Sequence, residues 1–128
     1  MEFAPTVVAD LAATGQDRLG CRIRAVTARV GDEIVGIGGF SFLDDGTVLA
    51  FCHLTDAARR RKVALHKAAI AALARAKASG FRRIVATADP EQPAAERWLE
   101  RLGFVSARAL GLEPTHINGH SVFILHDR

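Results

Sequence analysis

Four consecutive cations, Arg59-Arg60-Arg61-Lys62, stand where a strand pattern gives way to a helix pattern. A helix N-terminus presents free backbone N–H groups and a partial positive charge. Cations added there oppose the helix dipole unless an anion is bound, so the pattern points to a phosphorylated ligand. The competing reading is a solvated basic first turn. The four belong to a larger island, because residues 57–88 hold nine Lys or Arg and no Asp or Glu. The whole chain has 17 basic and 14 acidic residues, net +3, so the island is set in a net acidic remainder. A surface for single-stranded nucleic acid would interleave bases with aromatic rings. Phe81 is the one aromatic of the island, which disfavours that class.

Other side chains with chemical capacity are sparse. His116, His120 and His126 lack the tight spacing of a metal set, and no metal is expected. Cys21 and Cys52 are the only cysteines, both in strand-like apolar contexts, and read as reduced residues of the core. Trp98 reads as a core residue and His66 as lying on the outer face of a helix. Asp56 stands where it could cap the basic helix as an acceptor.

The elements that must position these residues follow from periodicity. Thr6–Thr14 could form a short helix ended by Gly15. In Cys21–Val30, Ile23, Ala25 and Thr27 alternate with Arg22, Arg24 and Val26, a strand pattern. Gly31-Asp32 makes a turn into a second strand, Glu33–Phe42, whose glycines 36, 38 and 39 mark a bulge or a close backbone approach. Asp44-Asp45-Gly46 signals a hairpin. Thr47–Leu54 is apolar on both faces and so belongs at the centre of a sheet. Leu65, Ala68, Ala69, Ala72, Leu73 and Ala76 form one helical stripe, with Gly80 as the C-cap. Arg83–Ala88 is a buried strand. Pro93 suits the first turn of a further helix with Ala95, Trp98, Leu99 and Leu102 inward, stopped by Gly103. Phe104–Arg108 and His120–His126 are strands joined by the connector Leu110–Gly119. The crossover from Thr47–Leu54 through the helix to Arg83–Ala88 is a right-handed βαβ unit.

Length and composition bound the class. At 128 residues, 49% hydrophobic, the chain reads as a single domain over residues 1–128 with a full core. No apolar run reaches the roughly 18–20 residues needed to cross a bilayer. Met1-Glu2-Phe3-Ala4-Pro5 lacks the basic start of a secretion signal, so the cytoplasm is the expected location.

The element order, with a basic turn after the central strand, resembles the GNAT family of N-acetyltransferases. The most specific segment is Ala95-Glu96-Arg97-Trp98-Leu99-Glu100-Arg101-Leu102-Gly103-Phe104, similar to the family's helix ending in Leu-Gly-Phe. The match runs over roughly residues 22–108. The resemblance implies an α/β fold with a mixed central sheet, splayed between its fourth and fifth strands, and three to four helices. It implies acetyl-CoA as cosubstrate in the V-shaped gap, with the diphosphate on Arg59, Arg60, Arg61, Lys62, Val63 and Ala64. A register shift of one would bring in Val63 and Leu65 at the small positions. Gln92 falls where the family often has an asparagine on the pantetheine arm. Backbone N–H groups of His53 and Leu54 would polarise the acetyl carbonyl. The His53 side chain either takes a proton from an incoming primary amine or is a hydrogen-bonded histidine of the core.

Three departures from the family pattern stand out. Lys62 replaces the central glycine of the phosphate loop. The chain contains no tyrosine, and Leu99 holds the place of the family's proton donor to the leaving thiolate. Only about 20 residues precede Arg22, so the acceptor pocket would be open, completed by a second subunit in a homodimer, or absent. A short domain with a basic, glycine-poor loop is similar to phage or prophage GNAT-like proteins. These departures keep a second reading open, a non-catalytic binding or structural module of the same fold.

Overall fold

A computed structural model describes residues 1–7, 9–10, 23–43, 46–88 and 93–125. The strands are β1 (Glu2–Pro5), β2 (Ile23–Val30), β3 (Glu33–Phe42), β4 (Thr47–Leu54), β5 (Arg83–Ala88), β6 (Phe104–Ser106), β7 (His116–Ile117) and β8 (His120–Leu125). A 3-10 turn, Asp56–Arg60, leads into α1 (Lys62–Ala78), and α2 (Pro93–Arg101) follows β5. The strands form one mixed sheet in the order β1-β2-β3-β4-β5-β8-β6, with β7 paired to β8. β4 and β5 are parallel and the other pairs are antiparallel.

β2 alternates as its pattern requires: Arg24 and Val26 are exposed, while Thr27 is buried between the strand's partners. The close approach expected at the β3 glycines falls at Gly39. A Cβ there would lie 2.2 Å from the Arg24 carbonyl oxygen, so no larger residue fits without parting β2 from β3. The bulge lies in the same pair, between Ala28 and Arg29. α1 buries Leu73 and Ala76 and half-buries Leu65, Ala68, Ala69 and Ala72. It ends at Gly80, whose φ of +80° closes the C-terminus as a left-handed cap.

Two layers result. On one face of the sheet, Val48, Ile84, Ala86, Ala88, Phe104 and Phe123 pack with Leu73 and Ala76 of α1. Ala95, Leu99 and Leu102, from α2 and its C-terminal turn, pack against the same cluster. On the other face Val85, Val122 and Ile124 pack with Ala107 and with Leu110 and Leu112 of the connector. A smaller cluster of Ala28, Val35 and Ala58, with half-buried Leu65, fixes the 3-10 turn to the sheet. Full burial of one such aliphatic side chain stabilises by about 1.5–3 kcal/mol.

Several expectations need correction. The structure has two α-helices among the described residues, not three to four. The stretch before α1 is too short for an α-helix and tightens into the 3-10 turn. Of the proposed Thr6–Thr14 helix, residues 9 and 10 are helical, and residues 11–14 lie outside the described residues. Residues 21–22, 44–45, 89–92 and 126 also lie outside them, so Cys21, Gln92 and His126 have no described placement. β1 was not expected from the pattern: all four of its residues are exposed, so no buried face marks it. Among the described residues, no helix is long and apolar enough to cross a membrane.

Candidate active site

β4 loses its second neighbour halfway along. Pairing with β5 runs from Thr47 opposite Arg83 to Ala50 opposite Ala86 and stops there. β4 continues through Phe51, Cys52, His53 and Leu54, still paired to β3. The two parallel strands therefore part over the last four residues of β4, and Cys52 and Leu54 are exposed where they separate. A crevice outside the carboxyl ends of parallel strands is where open α/β sheets bind ligands.

The phase of the β3–β4 ladder tells which amides face that gap. Leu43 N–H donates to Thr47 O and Thr55 N–H donates to Val35 O, both at 2.9 Å. Bonded pairs recur every second residue in an antiparallel ladder, so Ile37 and His53 form a bonded pair, whereas Gly36–Leu54 and Gly38–Cys52 do not. The N–H groups of Cys52 and Leu54 thus point away from β3 into the gap. Of the two donors expected there, Leu54 faces it and His53 faces β3.

The His53 side chain stands on the sheet face opposite the helices, on the side of Leu49, and is half-buried. Among the described residues it makes no side-chain hydrogen bond. Cys52 shares the helix face with Val48 and Ala50, and it is exposed, not a core residue. Although the residue is exposed, partial desolvation of its thiol by the surrounding protein pushes the pKa up to about 11. The thiol is therefore protonated at neutral pH and a poor nucleophile.

Beyond β4 the chain turns sharply. Thr55 anchors the turn, its hydroxyl donating to the carbonyls of Ile34 at 2.8 Å and Val35 at 3.0 Å. Ala58 N–H then donates to Thr55 O and Arg61 N–H to Ala58 O. Arg61 is the N-cap of α1, with no side-chain cap, and Asp56 does not supply one. The first helical bond runs from Leu65 N–H to Arg61 O at 3.0 Å. That leaves the amides of Lys62, Val63 and Ala64 without intrahelical acceptors, and the first turn of α1 holds no acid. Leu65 has its N–H used and its side chain against Ala28, Val35 and Ala58, so it belongs to the core and not to the free turn.

Arg59, Arg60, Arg61, Lys62, Val63, Ala64 and Lys67 line an open depression of about 550 Å³ around those amides. No residue of this turn has a positive φ; Arg61, at φ −125°, joins the 3-10 turn directly to α1. The family's glycine is therefore not required by the backbone here, and Lys62 is tolerated with its side chain in solvent. The depression presents five cationic side chains and three free donors, the composition of a polyanion site.

Two further clusters gave no signal in the sequence. Trp98 Nε1–H donates to His66 Nδ1 at 3.0 Å, so both side chains are half-buried between the helices. Asp10 is 3% exposed and accepts from Val7 N–H, from the Thr27 hydroxyl at 2.9 Å and from the Arg29 guanidinium. Burial opposes ionisation of Asp10, but these three donors outweigh it and hold its carboxyl below the usual range. Each cluster joins residues distant in sequence, and period and spacing are silent about such pairs. Among the described residues no group of three or more His, Cys, Asp or Glu could hold a metal ion.

The mixed sheet parts between β4 and β5, with a basic, uncapped helix start at the mouth of the gap, in an α/β fold. The chain belongs to the acetyltransferase (GNAT) family, whose model matches residues 6–104. The fold is similar to that of a Bacillus subtilis acetyltransferase solved in complex with CoA, at 17% identity and TM-score 0.61, covering 84% of this chain and 78% of that one. It is similar to a mutant of the Vibrio cholerae spermidine N-acetyltransferase, at 14% identity and TM-score 0.66, covering 97% and 92%. A GNAT-family protein from Bordetella pertussis is 25% identical with TM-score 0.57, covering 91% of this chain and 72% of that one. No curated protein matches the chain in sequence.

Proposed function

We propose that the protein transfers an acetyl group from acetyl-CoA to a primary amine. The observation that carries this reading is the alignment of two unsatisfied donor sets. The amides of Lys62, Val63 and Ala64 lie at the mouth of the gap and those of Cys52 and Leu54 within it. The first set, with Arg59, Arg60, Arg61, Lys62 and Lys67 around it, suits the diphosphate. The second suits the amide-bearing pantetheine arm and the thioester carbonyl, where Leu54 N–H stabilises the charge that develops on oxygen.

Acetyl-CoA supplies an activated acyl carbon. The amine nitrogen attacks that carbon, the C–S bond breaks, and the amine loses a proton while the thiolate gains one. His53 is our candidate for the amine's proton, from the sheet face opposite the helices. The chain has no tyrosine, so the thiolate takes its proton from water at the open mouth. Cys52 takes no part as a nucleophile, and transfer is direct. The spermidine N-acetyltransferase among the structural neighbours makes polyamines the first acceptors to try.

Calorimetric titration with acetyl-CoA, followed by assay of thiol release with a panel of primary amines, tests the reading. Micromolar binding and amine-dependent thiol release are expected. Absence of both at saturating acetyl-CoA refutes it and leaves the binding-module reading of the same fold.

A further inference from the structure

α1 and α2 rise from the two lips of the gap, since α1 follows β4 and α2 follows β5. Their backbones barely approach each other. The indole N–H of Trp98 crosses the space between them to His66 Nδ1 at 3.0 Å. His66 lies in the second turn of α1, next to Lys67 of the basic depression, and Trp98 lies in the second turn of α2. An indole N–H is only a donor, so Nδ1 of His66 is the acceptor of this bond.

α2 needs such a tie. It has nine residues, none of them fully buried, and it meets the sheet through half-buried Ala95 and Leu99. Apolar contacts of that kind are non-directional and fix the position of a short helix weakly. A hydrogen bond of defined length to α1 fixes the distance between the helices at the level where the strands part.

We propose that His66 and Trp98 form a cross-brace that sets the width of the gap and so positions the pantetheine arm of acetyl-CoA. Both are positioning residues, acting through the helices and not on the reacting atoms. The inference rests on the acetyltransferase reading above.

The test compares two probes that share a diphosphate, acetyl-CoA and ADP, of which only the first enters the gap. Trp98→Phe keeps the ring's bulk and removes the donor. His66→Leu removes the acceptor, and His66→Asn places an amide oxygen near the Nδ1 position. Loss of one such hydrogen bond is expected to weaken acetyl-CoA binding about fivefold in Trp98→Phe and in His66→Leu. ADP affinity is expected to stay within about twofold, and His66→Asn to bind acetyl-CoA nearly as the unmodified protein does. The double variant is expected to be no weaker than either single one, the mark of a shared interaction. In turnover, KM for acetyl-CoA rises while kcat holds. Equal losses for both probes, or no loss of acetyl-CoA affinity in Trp98→Phe, overturn the brace alone. Failure of the unmodified protein to bind acetyl-CoA refutes the acetyltransferase reading and the brace with it.

Discussion

Replacing Arg60 and Arg61 together by alanine should lower affinity for acetyl-CoA and, in the same protein, raise the melting temperature of the free form. Both side chains are exposed at the edge of the depression around the α1 amides. Exposed ion pairs contribute about 0.2–1 kcal/mol each, more where a charge-assisted hydrogen bond forms. Two of them on a diphosphate account for about 1–2 kcal/mol, which is roughly a 5- to 30-fold loss of affinity at low salt. Binding is not abolished, because the amides of Lys62, Val63 and Ala64 remain. Without ligand the sign reverses. The two cations lie at the positive end of a 17-residue helix whose first turn holds no acid. Their removal relieves about 0.5–1 kcal/mol of repulsion from the dipole and from neighbouring cations. For a chain of this size that is roughly 2–5 °C in Tm. Titration calorimetry and thermal melts of the ligand-free protein, each at low and high salt, read the two effects, and both should shrink as salt screens them. A higher Tm with unchanged affinity would mean that the cluster is a solvated basic turn. A lower Tm would mean that the arginines hold the turn together, and the argument from an unsatisfied helix start would fall.

Substituting His53 by Gln should lower kcat about 100-fold and alter the pH–rate profile, with KM for acetyl-CoA unchanged. An unaltered pH–rate profile would exclude His53 as the base. Asp10→Asn should destabilise by about 1–3 kcal/mol at neutral pH, because the carboxylate accepts from Val7, Thr27 and Arg29 and is nearly inaccessible. The folded state holds the Asp10 carboxyl below its ordinary value of 3.8. Its contribution is therefore complete above that value and disappears as pH falls through the lower, folded one. Urea melts of the two proteins should converge in acid, and a constant difference at all pH values would show that charge is not the cause.

What the sequence determined by itself is local. The strand alternation of Ile23, Ala25 and Thr27, the stripe from Leu65 to Ala76, the stops at Gly80 and Gly103 and the run Arg59–Lys62 all depend on neighbours within a few residues. Chain geometry dictates those relations before any long-range contact forms. The βαβ crossover and the helix start beside the basic run followed from that information. The bounds of β1 were not legible, since no buried face marks an exposed edge strand.

Tertiary structure alone decided the rest. That Leu54 N–H faces the gap and His53 N–H does not depends on the phase of a ladder set by bonds from Leu43 and Thr55 to the neighbouring strand. That Leu65 leaves the turn for the core depends on Ala28 and Val35, more than 25 residues away in sequence. The Trp98–His66 bond spans 32 residues, and the Asp10–Arg29 pair spans 19. Hydrogen-bond phase and side-chain pairing are relations between elements, and they come into being only when the sheet assembles and its two parallel strands part.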